Sequence, residues 1–101
     1  MIIYNITTHV TWNIHDQWKE WMLKQRIPEM LATGIFSHYQ LARLLEVDDS
    51  EGPTYAVQFY VPNGFSVSEY TLKHLPHMQH SEKMLWGDNI YSFSSLLEVI
   101  N

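Results

Sequence analysis

Cysteine is absent from this chain of 101 residues, and with it every disulfide frame, thiolate metal site and cysteine nucleophile. Positive charge is scarce: Lys and Arg number 6 against 11 for Asp and Glu, a formal net charge of -5. That balance offers no basic footprint for phosphates, so no nucleic-acid partner is expected. No apolar run approaches the roughly 18 residues that a membrane span requires. The opening Met1-Ile2-Ile3-Tyr4-Asn5 has no basic segment and turns polar too early for a secretory signal, so neither membrane nor export is expected and the protein reads as cytoplasmic. Asn5-Ile6-Thr7 fits the glycosylation pattern, but without a secretory signal it reads as a strand segment and not as a modified site. Glycine-rich phosphate loops, a serine nucleophile elbow and internal repeats are also missing. With 4 Gly and 4 Pro and no linker or low-complexity tract, residues 1–101 read as a single domain. A chain of this size buries about two thirds of its unfolded surface, which suffices for one core.

What the sequence has is an ordered series of periodicities. Ile2 to Val10 alternates, with Ile2, Tyr4, Ile6 and Val10 on one face and Ile3, Asn5, Thr7 and His9 on the other, the pattern of a strand. Ile14, Trp18, Trp21 and Met22 then follow a helical stripe, with Asp16 placed to complement the helix dipole. Pro28 should kink or restart this helix, giving one bent helix that Gly34 terminates. Ile35 to Val47 reads as a long strand, Asp48 to Pro53 as a turn, and Tyr55, Val57, Phe59 and Val61 as the second arm of a hairpin. Ser66-Val67-Ser68-Glu69 has the spacing of a capping box, opening a second helix that Pro76 interrupts and Gly87 ends. Ile90 to Ile100 supplies the last strand, with Tyr91, Phe93, Leu97 and Val99 as its apolar side and Ser92 and Ser94 opposite. The order is βαββαβ, the split βαβ arrangement, which predicts an α+β ferredoxin-like fold: a four-stranded antiparallel sheet with two helices on one face.

Such a sheet leaves its other face open. From the alternation that face collects Asn5, Thr7 and His9, then His38 and Gln40, then Ala56, Gln58 and Tyr60, then Ser92 and Ser94. Amides, hydroxyls and imidazoles in place of Lys and Glu suit a semi-enclosed surface, and two copies packed face to face would enclose it. Closed two-fold pairing is also the commonest association of soluble chains, so a homodimer through this face is expected.

Five segments carry a resemblance: Met1-Ile2-Ile3-Tyr4-Asn5-Ile6-Thr7, Trp18-Lys19-Glu20-Trp21-Met22, Ile27-Pro28-Glu29-Met30-Leu31-Ala32-Thr33-Gly34, Ala56-Val57-Gln58-Phe59 and His74-Leu75-Pro76. By these the chain resembles the DUF4286 family of uncharacterised bacterial proteins, which is similar to the dimeric α+β barrel group of ferredoxin-like domains. The resemblance implies a fold and an assembly and names no activity. It also implies a His before the Ile-Pro pair in many relatives, where this chain has Arg26.

The candidate site residues follow from the open face and from the histidines. His9 and His38, with Asn5, Gln40 and Gln58 nearby, would place an imidazole base beside carbonyl-orienting amides in a barrel interior. The resemblance implies that such a layout would suit a cofactor-independent oxygenase- or isomerase-like enzyme. The simpler reading makes these groups hydrogen-bonding partners across a dimer interface, with a small molecule held weakly in the cavity at the sheet face. Arg26 would hold a carboxylate ligand or form a surface ion pair. His74, His77 and His80 are three apart, a spacing that drifts around a helix by about 60° per step and has no accompanying acid, so no native metal is expected there. No cofactor is implied. The stripe of Trp18 and Trp21 reads as core, and Asp48, Asp49 and Glu51 as a solvated turn.

Overall fold

The computed structural model describes residues 1–101. Strand β1 (Ile2–Val10) leads through a short 3-10 turn into helix α1 (His15–Trp21), a π-helical turn (Met22–Arg26) and helix α2 (Ile27–Ala32). Strands β2 (His38–Arg43) and β3 (Thr54–Val61) form the hairpin, followed by helices α3 (Ser66–Lys73) and α4 (Leu75–Trp86) and strand β4 (Ile90–Glu98). The strands make one four-stranded sheet in the order β2-β3-β1-β4, with every neighbouring pair antiparallel. The protein is therefore an α+β fold.

Register fixes the two faces. Ile2, Tyr4, Ile6 and Thr8 of β1 stand opposite Val61, Phe59, Val57 and Tyr55 of β3, and all these side chains share one side of the sheet. On that side Tyr4, Tyr55, Val57, Phe59 and Val61 form one core with Trp18, Met22, Ile27, Met30, Tyr70 and Met78 from the helices. Both helical arms thus lie on the same face. Trp18 and Phe59 are fully buried, and Phe36 packs against Tyr4, Phe59 and Tyr70 with ring centroids 5.2–6.0 Å apart.

Several local expectations change on folding. Pro28 lies in the first turn of α2, so the helix restarts there as expected, but by way of a π turn that the sequence did not indicate. The chain inserts a π turn just before it, where the Ile27 amide bonds to the Met22 carbonyl and the carbonyls that Pro28 cannot reach lie within a wider turn. The long strand expected over residues 35–47 is confined to His38–Arg43, because Ile35 and Phe36 turn inward as core residues before the strand begins. No capping box forms at Ser66. The Asn63 carboxamide oxygen instead accepts from the Phe65 amide at 3.1 Å, and the Asn63 carbonyl accepts from Ser66. The break between α3 and α4 falls at His74, two residues before Pro76, and Gly87 ends α4 at φ 54, a region that favours glycine. Gly52 fits where a Cβ would collide with the Val10 carbonyl, which anchors the hairpin turn to the end of β1.

The largest correction concerns β4. Its pairing sets Ser92 opposite Thr8 and Ser94 opposite Ile6, on the helix side, whereas Tyr91, Phe93 and Leu97 fall opposite His9, Thr7 and Ile3 on the open side. The apolar set was expected to face the core. It faces out because the ladder to β1 dictates which face each residue takes, and a one-residue change in reading exchanges the two faces.

Candidate functional site

The open face can now be assembled in rows across the sheet. One row runs His38, Tyr60, Ile3, Leu97; the next Gln40, Gln58, Asn5, Ser95; the next Ala42, Ala56, Thr7, Phe93; and the last Thr54, His9, Tyr91. No Asp, Glu, Lys or Arg occurs among them. Along the β4 edge the surface is apolar and open, with Tyr91 at 69% and Phe93 at 55% exposure.

The expected site residues of this face lie together on it but do not converge on one point. His9 stands opposite Thr54 and His38 opposite Tyr60, six β3 residues away, which is about 20 Å along the sheet. Each ring is already held. The His9 Nδ1 is 3.3 Å from the Thr54 hydroxyl, while His38 stacks on Tyr60 at 4.0 Å and its Nδ1 is 2.9 Å from the Ser37 hydroxyl. Gln40, Gln58 and Asn5 form the second row, as the alternation implied. Asn5 donates to Thr7 at 3.2 Å and Ser95 at 3.4 Å, and its buried Oδ1 has no donor within the chain. A pocket was expected here; the two cavities of the protein lie instead between β4 and α4, on the helix side. A bare sheet is too flat to make a concavity without a cover.

The deeper cavity, of about 90 Å3, is lined by Tyr4 and Ile6 of β1, Tyr70 of α3, Leu75, Met78, Gln79 and Glu82 of α4, Ser92, Phe93 and Ser94 of β4, and Arg26. Arg26 ends the π turn, which carries its side chain inward until the residue is only 5% exposed. Its Nη2 donates to the Met78 carbonyl at 3.2 Å and the Ser81 hydroxyl at 2.8 Å, and its guanidinium lies 4.7 Å from the Trp21 ring centroid. Trp21 in turn meets Trp86 edge to face at 5.6 Å. Glu82 approaches the Nη1 of Arg26 at 3.5 Å, and the Nε of Arg26 has no acceptor. Burial raises the Glu82 carboxyl above its ordinary range, and the attraction of Arg26 offsets this only in part. Burial likewise raises the phenols of Tyr4 and Tyr70, keeping both as neutral O–H groups. The Tyr70 hydroxyl has only the Met30 thioether, at 3.1 Å, to donate to.

Arg26 was anticipated as a carboxylate binder or a surface ion pair; it is buried and half-paired. Sequence spacing could not show Glu82, Tyr4 and Tyr70 as its neighbours, since they come from three other elements. The remaining candidates are dispersed. His74 stacks on Tyr70 at 6.0 Å at the α3–α4 break, and His77 and His80 lie exposed on α4. No three His, Asp or Glu side chains come close enough to hold a metal ion. In the hairpin turn, Asp49 pairs with Arg43 at 2.6 Å and Asp48 accepts from the Ser50 amide. A further group escaped the sequence reading: His15 bridges Asp16 at 3.0 Å and the Tyr55 hydroxyl at 2.6 Å. It has no cavity beside it. No helix is long and apolar enough to cross a membrane.

A family model described as "Domain of unknown function (DUF4286)" matches residues 1–100. No curated protein matches the chain.

Proposed function

The chain belongs to the DUF4286 family, and from that premise we propose that it is a non-catalytic, self-associating domain that pairs with a second copy through its open sheet face. The observation that carries this reading is the composition of that face: three rows of four residues and a fourth row of three, without one fixed charge, and with Tyr91, Phe93 and Leu97 exposed along one side. A water-facing sheet normally carries charged side chains, so a face without them is suited to burial. Its lack of charge also keeps like charges from direct contact across the interface, although the whole chain is acidic.

Size agrees with this. Four strands about 4.8 Å apart and about 25 Å long give a flat footprint of roughly 500 Å2, so two copies cover about 1,000 Å2, the lower bound of a specific interface. The buried Oδ1 of Asn5, without a donor in its own chain, would gain one from an amide or hydroxyl of the facing copy. The strand order β4-β1-β3-β2, with both helical crossovers on one face, supports reading the domain as ferredoxin-like, and face-to-face pairing of two such sheets would form a dimeric α+β barrel. His9 and His38 then serve as interface groups, each hydrogen-bonded within its own copy.

Sedimentation analysis from low to high micromolar concentration tests this. A dimer is expected, and Phe93→Lys, which places a charge in the middle of the face, should shift it to monomer while leaving the helical circular dichroism unchanged. A wild-type chain that stays monomeric at high micromolar concentration would overturn the reading. A dimer indifferent to Phe93→Lys would also overturn it, pointing to pairing through the β4 edge.

A further inference from the structure

We propose that the cavity between β4 and α4 is a binding site for a small carboxylic acid of about two to four carbons, whose carboxylate is held by Arg26. The inference does not rest on self-association: the cavity lies on the helix side of the sheet, and Phe93 is the one residue of the open-face rows that also lines it.

The first support is an imbalance of donors over acceptors. Arg26 brings five N–H groups into an interior position and leaves part of them unused: Nε has no acceptor and Nη1 has only Glu82, at the long distance of 3.5 Å. Tyr70 donates to a thioether, a weak acceptor, and Ser94 adds a further hydroxyl to the lining. A site with surplus donors is completed by a ligand that supplies acceptor oxygens, and guanidinium with carboxylate is the strongest pairing of that kind. The second support concerns charge. Glu82 is the single acid of the lining, and it meets only the Nη1 of Arg26, at 3.5 Å, which leaves the Nε of the guanidinium open to a ligand carboxylate. The groups around Glu82 are Arg26 of the π turn, Tyr4 of β1 and Tyr70 of α3, and Lys83 shares the adjoining hollow with it, so the only other charges near the site are positive.

The third support is volume and polarity. An apolar cavity of about 150 Å3 takes benzene, so one of about 90 Å3 takes roughly four heavy atoms, and a second, more open hollow of about 240 Å3 that shares Gln79, Glu82 and Ser92 with it gives space beside the ligand's far end. Ile6, Leu75 and Met78 cover the part of the wall that would meet a short alkyl chain. The π turn explains how the site arises. Without it Arg26 would occupy a different angle on the helix, so the same local feature that accommodates Pro28 delivers the guanidinium to the interior.

The test is a titration of the 15N-labelled protein with acetate, propionate and lactate, with chloride and methylammonium at equal ionic strength as controls. Saturable shifts are expected for the amides of Gln79, Ser92 and Ser94 and for the indole N–H signals of Trp21 and Trp86, with the carboxylates and not with the controls. Arg26→Gln should abolish them. Because that substitution removes a buried charge from the core, Gln79→Trp provides a second arm: Gln79 is exposed, and an indole there covers the mouth of the cavity. It should weaken binding at least tenfold. Shifts that do not saturate, that chloride reproduces, or that survive Gln79→Trp unchanged would each overturn the proposal.

Discussion

At the residue scale, Arg26 and Glu82 show how burial and pairing compete. Two charges taken from water gain mutual attraction only where geometry is close, and 3.5 Å with a free Nε is a loose pair. Burial accordingly wins at Glu82, whose carboxyl is raised above its ordinary value of 4.5. Below that ordinary value the group is protonated in both the folded and unfolded chain and leaves stability unaffected. As pH rises from there, the unfolded chain releases its proton first, so Glu82 increasingly favours unfolding, up to the raised folded value and constant beyond it. Glu82→Gln should therefore gain on the wild type as pH rises from acid toward neutral, whatever its offset at low pH. Urea midpoints of both proteins across that range check this; a difference that is flat, or that moves the other way, would show that Arg26 dominates.

At the scale of elements, local chemistry set the positions of helices and strands but not always the device that ends them. The Ser66 and Glu69 spacing fits a capping box, yet the chain enters α3 from a turn in which Asn63 already occupies the free amides. The two are distinguishable. Asn63→Ala, which removes the turn bond to the Phe65 amide, should cost about 1 kcal/mol, and Ser66→Ala only a few tenths, measured by chemical denaturation. The π turn is a second case. Pro28 was legible as a disturbance of the first helix, but a sequence does not say whether the helix bends, restarts or widens. That choice depends on whether Met22 and Ile27 on both sides can still reach one core, and here the wider turn keeps both buried. Strand β2 is shorter than its alternation implied because Phe36 gains more from three aromatic neighbours than from extending an edge strand.

At the scale of the whole molecule, the helices cover one face of the sheet and leave the other as an uncharged surface. If a second copy covers it, stability is linked to association and the melting temperature must rise with protein concentration. Each copy carries a net charge of -5, so salt should strengthen the association modestly by screening the overall repulsion, with no ion pair in the interface for it to weaken. Calorimetry over a range of concentrations, at low and high salt, reads both effects; a melting temperature independent of concentration would deny the linkage. The histidines of this face illustrate what a linear reading misses. His9 and His38 belong to the same face, as their alternation implied, but they lie at opposite ends of it because β1 and β2 are separated by β3.

The sequence by itself determined the order of elements, the span of β1, the hairpin, the helix stops at Gly34 and Gly87, and the core-facing residues of β1 and β3. These follow from periodicity and from the restrictions that Pro and Gly place on the backbone, which act over a few residues. The tertiary structure alone decided which face of β4 meets the helices and which residues surround Arg26. In β4 both faces carry enough apolar groups to pass as core, so the choice falls to hydrogen-bond register with a strand some 80 residues away in the chain, as in Thr8 opposite Ser92 with their hydroxyls 2.9 Å apart. Around Arg26 the neighbours come from β1, α3, α4 and β4. Their meeting depends on how the helices pack across the sheet, and no spacing along the chain records it.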